Sequence, residues 1–401
     1  MSHIKPENAD QLEEAIKWVL SEEESVEIIG SGSKQRLGRS VETSHQLDLS
    51  ALTGITLYEP EELVLSARAG TPLVEIQEEL IKNKQYMAFE PMDYGSLLKG
   101  EPDPGTLGGM VSCNLSGSRR LKAGAARDHF LGFSGVSGRG ETFKSGGRVV
   151  KNVTGYDLMK LMAGSYGTLA VMSDITIKVL PAPPEEKSYV LYGLTDEQAN
   201  WAMSAALNSS CEVSSAAHIP QSISSKISFE AKPRAITVLR LEGHGPSVTY
   251  RADKLSSLLA DFDTGSLIAE RESKSLWQKL RDAEVFTISP ERSVWRVSLP
   301  PAQGSIFVDS LKLSDQAEYY YDWAGGLIWL SLTGDHNASV LRDRLKSMGG
   351  HATLVRSVEG TDDAGCPQDP LAPGEHALMK RIKDNFDPKA ILNPGRLYAD
   401  L

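Results

Sequence analysis

Residues 103–120 read "DPGTLGGMVSCNLSGSRR", and this stretch limits the chain more than any other. Glycine at such density marks turns with positive φ, or a place where something must come very close to the main chain. Two arginines follow at once, in a chain whose formal net charge is −11. One reading is a loop-rich surface. The other is a bound phosphate, cradled by backbone N–H groups and helped by local positive charge. A second glycine stretch, "GSGSKQRLG" (30–38), follows directly on "VEII" (26–29), which reads as a short buried strand. It is not a dinucleotide fingerprint. Gln35 stands where the third glycine of G-x-G-x-x-G belongs, and no apolar helical stripe follows.

The remaining composition narrows the partners. The 401 residues are enough for two or three domains with full-sized cores. No run reaches the roughly 18 apolar residues a membrane helix needs. The polar start "MSHIKPENADQLEE" lacks a signal peptide's apolar segment. A cytoplasmic protein is expected, with at most a peripheral position at the inner face of the cell membrane. The acidic balance argues against nucleic acid. A small anion remains compatible with the local cluster Arg119, Arg120, Lys122 and Arg127. Cys113, Cys211 and Cys366 are far apart with no CxxC pair, so neither a zinc site nor an iron–sulfur cluster is expected in this chain.

Along the chain, Leu12, Ala15, Ile16 and Val19 predict a helix, with Asp10 and Glu13 suited to its N-terminal cap. "HQLDLSAL", "GITLYE" and "LVLSARAG" predict strands. Thr71 as cap and Pro72 at the first position predict a helix carrying Leu73, Ile76 and Leu80 on one face. A β-prone run with Val171, Ile175, Ile177 and Val179 ends at "PAPPEE" (181–186), the best domain boundary. Beyond it, strands alternate with amphipathic helices, as expected for a second α+β domain with a mostly antiparallel sheet.

Three ordered segments carry a resemblance: "IIGSGSK", "DPGTLGGMVSCNLSG" and "NVTGYDLMKLMAGSYGTLAVMSDITIKVLP". They resemble the FAD-binding domain of the vanillyl-alcohol-oxidase (PCMH) type. The tail "FDPKAILNPGRL" is similar to that superfamily's C-terminal signature. The "ERSVWRVSLP", "GGLIWL" and "GGHATLVRS" patches resemble the FAD-binding E-type subunits of bacterial glycolate oxidases. The resemblance implies an α+β fold: an FAD-binding domain over 1–183, an α+β substrate or cap domain over 184–383, and a C-terminal segment, 384–401, returning toward the flavin.

It also implies two glycine-rich loops facing each other across the FAD pyrophosphate. The first would be Ile29, Gly30, Ser31, Gly32, Ser33 and Lys34. The second would use Gly105, Thr106, Gly108, Gly109, Ser112, Asn114 and Gly117, with Gly70, Arg127, Asp128, Gly167, Val171 and Asn393 nearby. Many relatives bond FAD through a first-loop histidine, and this chain has Ser33 and Lys34 there, so non-covalent FAD is expected. For a 2-hydroxy-acid substrate, Arg296 is the candidate for the carboxylate and His351 for the base. Arg356 is a further candidate.

Catalytic relatives carry paired histidines around "GDGN" for a divalent metal. Here the counterpart is "SLTGDHNAS", with only His336 beside Asp335, so no metal is expected. Two functions stay open. One is an FAD-dependent dehydrogenase subunit oxidising glycolate or a similar 2-hydroxy acid, passing electrons to an iron–sulfur subunit beside a paralogous FAD subunit. The other is a non-catalytic FAD relay or structural subunit supporting that paralogue.

Overall fold

Val26–Ile29 forms one edge of a three-stranded parallel sheet, beside His45–Asp48 and then Ser2–Ile4. This is seen in a computed structural model, which describes residues 2–147, 155–227, 233–312, 317–333, 338–358 and 367–401. The N-terminal helix, Ala9–Ser21, buries Leu12, Ala15, Ile16 and Val19 as the periodicity predicts. Its cap differs from expectation. Asn8 accepts a hydrogen bond from the Gln11 N–H, while Asp10 lies in the first turn. The helix thus starts two residues earlier, because an asparagine preceding the stripe reaches the free N–H better than an aspartate inside it.

The chain divides into two compact units. The first comprises Met1–Ser116, Gly124–Ala182 and Pro370–Leu401. Its second sheet is antiparallel, in the order Ile55–Glu59, Val64–Arg68, Ala170–Lys178, Phe130–Ser137, Thr142–Gly146. The helix Leu73–Lys82 packs Leu73, Ile76 and Leu80 into the core beneath this sheet, with Phe89, Met110 and Ile175. Pro72 occupies its cap position, and Thr71 instead accepts from the Gly54 N–H at 3.0 Å. The helix Pro373–Phe386 also belongs to this unit, where Ile382 and Phe386 pack against the same core. Its lysine Lys383 is buried. It donates to the Asp387 carboxylate at 2.7 Å and to the carbonyls of Thr168 and Leu392 at 2.7 and 3.0 Å. A buried ammonium is tolerated only with such partners.

The second unit comprises Gly117–Ala123 and Pro183–Asp369. It holds one eight-stranded sheet: Ser266–Ile268, Glu185–Tyr192, Ile236–Gly243, Ser215–Ile219, Glu318–Asp322, Leu327–Leu332, Ser293–Ser298, His351–Arg356. Every pairing in it is antiparallel. The helices Asp196–Leu207 and Gly245–Leu258 cover one end through Ala199, Ala202, Val248 and Leu255. The helices Gly304–Leu311 and Ala338–Ser347 cover the other through Phe307, Leu341 and Leu345. Alternation along Ser293–Ser298 sends Trp295 and Val297 into that core and leaves Arg296 on the opposite face.

Relative to the boundaries read from sequence, the first junction falls one residue earlier. The basic helix near the C-terminus packs with the first unit and not the second. The seven residues after Ser116 leave the first unit altogether.

Candidate functional site

A cleft of the first unit lies where Val26–Ile29 runs into its glycine loop. It encloses about 740 Å³ of non-protein space, its open side included. Ile29, Gly30, Ser31, Gly32, Ser33 and Lys34 line one wall, and Thr106, Gly108, Gly109 and Ser112 line the opposite one. The two loops touch. A Cβ at Gly30 would overlap the Thr106 Oγ1, and one at Gly105 would lie 2.5 Å from Ser33 Oγ and 2.6 Å from Lys34 Nζ. Gly108 backs onto Ala69 so closely that a Cβ would sit 2.9 Å from it. Bare main chain is therefore required where the loops converge, as a closely approached polyphosphate requires.

Charge suits the same ligand. The Lys34 ammonium is buried and donates to Ser33 Oγ at 3.0 Å and to the Pro104 carbonyl at 2.9 Å. Burial lowers its pKa, partly offset by Cys113, Asp103 and Asp93. Cys113 also lines the cleft, and burial raises its thiol pKa, opposed by the charges of Lys34 and Arg396. These features fit an FAD pyrophosphate: a glycine-lined cradle, the buried cations Lys34 and Arg396, and apolar walls from Ile28, Leu49, Ala170, Val171 and Met172 for the ring systems.

The C-terminal segment completes this cleft. Asn393 has φ +42 and is buried. Its Oδ1 accepts from the Ile28 N–H at 2.8 Å, and its Nδ2 donates to the Tyr166 carbonyl at 2.7 Å. Arg396 donates to the carbonyls of Lys34 and Gln35 at 3.0 and 2.6 Å and pairs with Glu27 at 3.3 Å. One residue thus bridges two walls, and another holds the first loop from behind. Arg396, Ile28, Gln35, Leu49, Ala69, Cys113, Tyr166 and Met172, which also line the cleft, are not among the candidates the sequence offers. For Arg396 the "NPGRL" motif was the available signal.

Other anticipated positions lie off the cleft lining. Gly70 is pressed against the Leu49 and Leu52 carbonyls. Asn114 ends the helix Leu107–Cys113 in the left-handed region, and its Oδ1 accepts from the Arg127 N–H at 3.1 Å. The Arg127 and Asp128 side chains are exposed, with Asp128 accepting from the Ala125 N–H at 2.9 Å. Gly117 belongs to the second unit.

In the second unit, Arg296 and His351 share a sheet face. Ser298 pairs with His351 and Arg296 with Thr353, so Arg296 and His351 are diagonal neighbours. The Arg296 guanidinium lies 4.9 Å from the centroid of the Trp323 indole. Partial desolvation by the surrounding protein lowers the His351 imidazole pKa below the ordinary histidine value, although the residue still meets solvent. The Asp369 charge opposes that shift, and the charges of Arg296 and Arg120 add to it. Arg356 faces elsewhere and donates to the carbonyls of Ser289 at 2.6 Å and Arg292 at 3.1 Å. Asp335 and His336 lie outside the described residues, among which no cluster of three or more metal-ligating side chains occurs. No helix among the described residues is long and apolar enough to cross a membrane.

Residues 3–146 match the family described as "FAD binding domain", and residues 369–397 match "FAD linked oxidases, C-terminal domain". The glycolate oxidase subunit GlcE of Escherichia coli (strain K12) is 34% identical over 392 residues, covering 97% of each chain. The chain belongs to the GlcE-type family of glycolate oxidase subunits. A GlcD subunit from Bacillus subtilis (strain 168) is 24% identical, across 99% of this chain and 88% of that one. Among solved structures, an alkyldihydroxyacetonephosphate synthase superposes with TM-score 0.69 at 16% identity, over 98% of this chain and 77% of the other. A substrate-bound p-cresol methylhydroxylase superposes with TM-score 0.69 at 12% identity, over 99% and 88%. These likenesses establish the fold: an FAD-binding unit of the vanillyl-alcohol-oxidase type and a large antiparallel sheet. The C-terminal FAD-oxidase match overlaps Pro370–Leu401, the part of the first unit that contributes Asn393 and Arg396 to the cleft.

Proposed function

We propose that this chain is the FAD-bearing subunit of a glycolate oxidase complex and itself oxidises glycolate or a similar small 2-hydroxy acid. The observation that carries the reading is the cleft between two glycine loops that leave no room for a Cβ at Gly30, Gly105 or Gly108, while the buried Lys34 supplies positive charge. When bound, FAD supplies the two-electron acceptor for the hydride of the substrate's α-carbon. Lys34 and the loop N–H groups neutralise and orient its diphosphate. Arg296 presents a planar fork to the substrate carboxylate. His351, kept neutral near pH 7 by its lowered pKa, takes the hydroxyl proton.

First-loop residues Ser33 and Lys34 offer no histidine for a flavin bond, so FAD is held non-covalently. Acid precipitation is expected to leave a colourless pellet and a yellow supernatant; flavin retained in the pellet overturns this. The chain has three cysteines, too few for a cluster, so electrons leave through a partner that carries one. The GlcD and GlcE names of the relatives support a multi-subunit setting.

Anaerobic mixing of the FAD-loaded chain with glycolate tests the catalytic reading. Bleaching of the flavin band at about 450 nm is expected. Full FAD occupancy without bleaching overturns it and leaves the chain as an electron relay or structural subunit.

A further inference from the structure

A strained turn joins the strands Glu318–Asp322 and Leu327–Leu332 of the second unit. Trp323, Ala324 and Gly325 all have positive φ, at +50, +54 and +94. Glycine takes such values freely, but for a residue as bulky as tryptophan they are a real outlier. Backbone of this kind persists only where its surroundings fix it, and it collects at ligand clamps and active sites.

The surroundings here are tight. Behind the turn, a Cβ at Gly325 would lie 2.5 Å from Asn200 Nδ2 and 2.9 Å from the Pro301 carbonyl. One at Gly304 would lie 2.7 Å from the Gly325 carbonyl. Asp322 Oδ1 accepts from the Trp323 N–H at 2.7 Å, and its other oxygen accepts from Ser118 at 2.6 Å. The buried indole donates its N–H to the Gly117 carbonyl at 3.1 Å. Backbone and ring are both held.

The ring is held against Arg296, whose guanidinium lies over it, 4.9 Å from the centroid. A ring face attracts a guanidinium through its quadrupole without using any of its N–H groups. The Arg296 Nε is accordingly buried with no hydrogen-bond partner among the described residues, and such a donor calls for an acceptor. Two other arginines of this unit differ. Arg119 spends its donors on both oxygens of Glu242, at 2.9 and 3.0 Å, and on Glu186 at 3.2 Å. Arg120, 4.5 Å from the Trp323 centroid, has further partners within the protein.

We infer that Trp323 is a positioning residue: its strained turn sets the indole so that the ring face holds Arg296, whose N–H fork stays available for the carboxylate of a small acid. This rests on the reading above that Arg296 receives the substrate carboxylate. A protein carboxylate in place of the indole would hold the guanidinium as firmly but consume the fork, as Glu242 does with Arg119. An aliphatic side chain would leave it unheld.

The test is a double-mutant cycle, read by calorimetric binding of oxalate, a two-carbon acid with no C–H to lose, to the full FAD-loaded chain. Trp323→Leu is expected to weaken oxalate by about tenfold, with flavin content unchanged. Trp323→Phe, which keeps a weaker ring face, is expected to lose less. In an Arg296→Gln background either Trp323 substitution should change the affinity by less than about twofold, because the group it positions is gone. A merely structural role would cost the same in both backgrounds. If Trp323→Leu does not accumulate folded, Trp323→Phe takes its place in the cycle. Unchanged affinity in the Trp323 variant, or equal loss with and without Arg296, overturns the inference; a loss with Arg296→Gln then leaves the Arg296 reading standing. Oxalate binding indifferent to Arg296→Gln overturns both. If glycolate never bleaches the flavin but the cycle shows the coupling, the positioning role holds and the catalytic reading fails.

Discussion

Gly30 and Lys34 are four residues apart and do opposite things. Gly30 contributes the absence of a side chain, since any Cβ there would strike Thr106. Gly30→Ala should therefore push the loops apart, costing about 1–3 kcal/mol of stability and sharply reducing bound flavin per chain, read from absorbance and thermal melting. Lys34 contributes a charge whose value depends on pH. Its folded pKa lies below 10.5 because of burial. Between those two values the unfolded chain binds more protons, so the FAD-free protein gains stability as pH rises. FAD affinity moves the other way, falling across that window as the cation facing the diphosphate is lost. Titrating FAD from neutral pH upward should show this decline in the wild type, and Lys34→Met should flatten it.

Among elements, one densely bonded junction outside the cleft is the start of the helix Asp196–Leu207. Asp196 accepts hydrogen bonds from His218 Nε2 at 3.2 Å, Tyr319 at 2.8 Å and Tyr321 at 2.7 Å. One carboxylate therefore joins that helix to the strands Ser215–Ile219 and Glu318–Asp322. Burial alone would raise its pKa, but the hydrogen bonds and charge of His218, with those of the tyrosines, hold it below the usual value. The stabilisation is present above the unfolded value of 3.8 and is lost as pH falls through the lower folded one. Asp196→Ala leaves three partners unsatisfied and should cost about 2–5 kcal/mol in urea unfolding. A cost near zero would show that the network is dispensable. At this scale the sequence was easy to read where periodicity operates, as with Leu12, Ile16 and Val19 or Leu73, Ile76 and Leu80. It failed at the caps. Asn8 and Pro72 hold those positions because the chain's entry angle, and not residue type alone, decides which side chain meets the free N–H.

For the whole molecule, the first unit is discontinuous, and the cleft proposed for FAD is lined by residues more than 350 positions after the first loop, Asn393 and Arg396. A chain ending at Asp369 keeps the entire 3–146 match. It should nevertheless fail to retain FAD, measured as flavin per protein after gel filtration. Stoichiometric retention would show that the C-terminal segment is not part of the cleft. Since a bound ligand at 100 times its Kd adds about 2.7 kcal/mol, the intact chain should melt distinctly higher with FAD than without.

The two glycine loops and the helix stripes were determined by the sequence alone. Both depend on residues adjacent or one turn apart, whose conformational limits act wherever the chain goes. The join of Asn393 to Ile28 and Tyr166, the departure of Gly117–Ala123 from the first unit, and the approach of Arg296 to the Trp323 ring were decided only by the tertiary structure. Each unites residues far apart in the chain, and strand register with core packing, not local propensity, fixes which side chains then share a face.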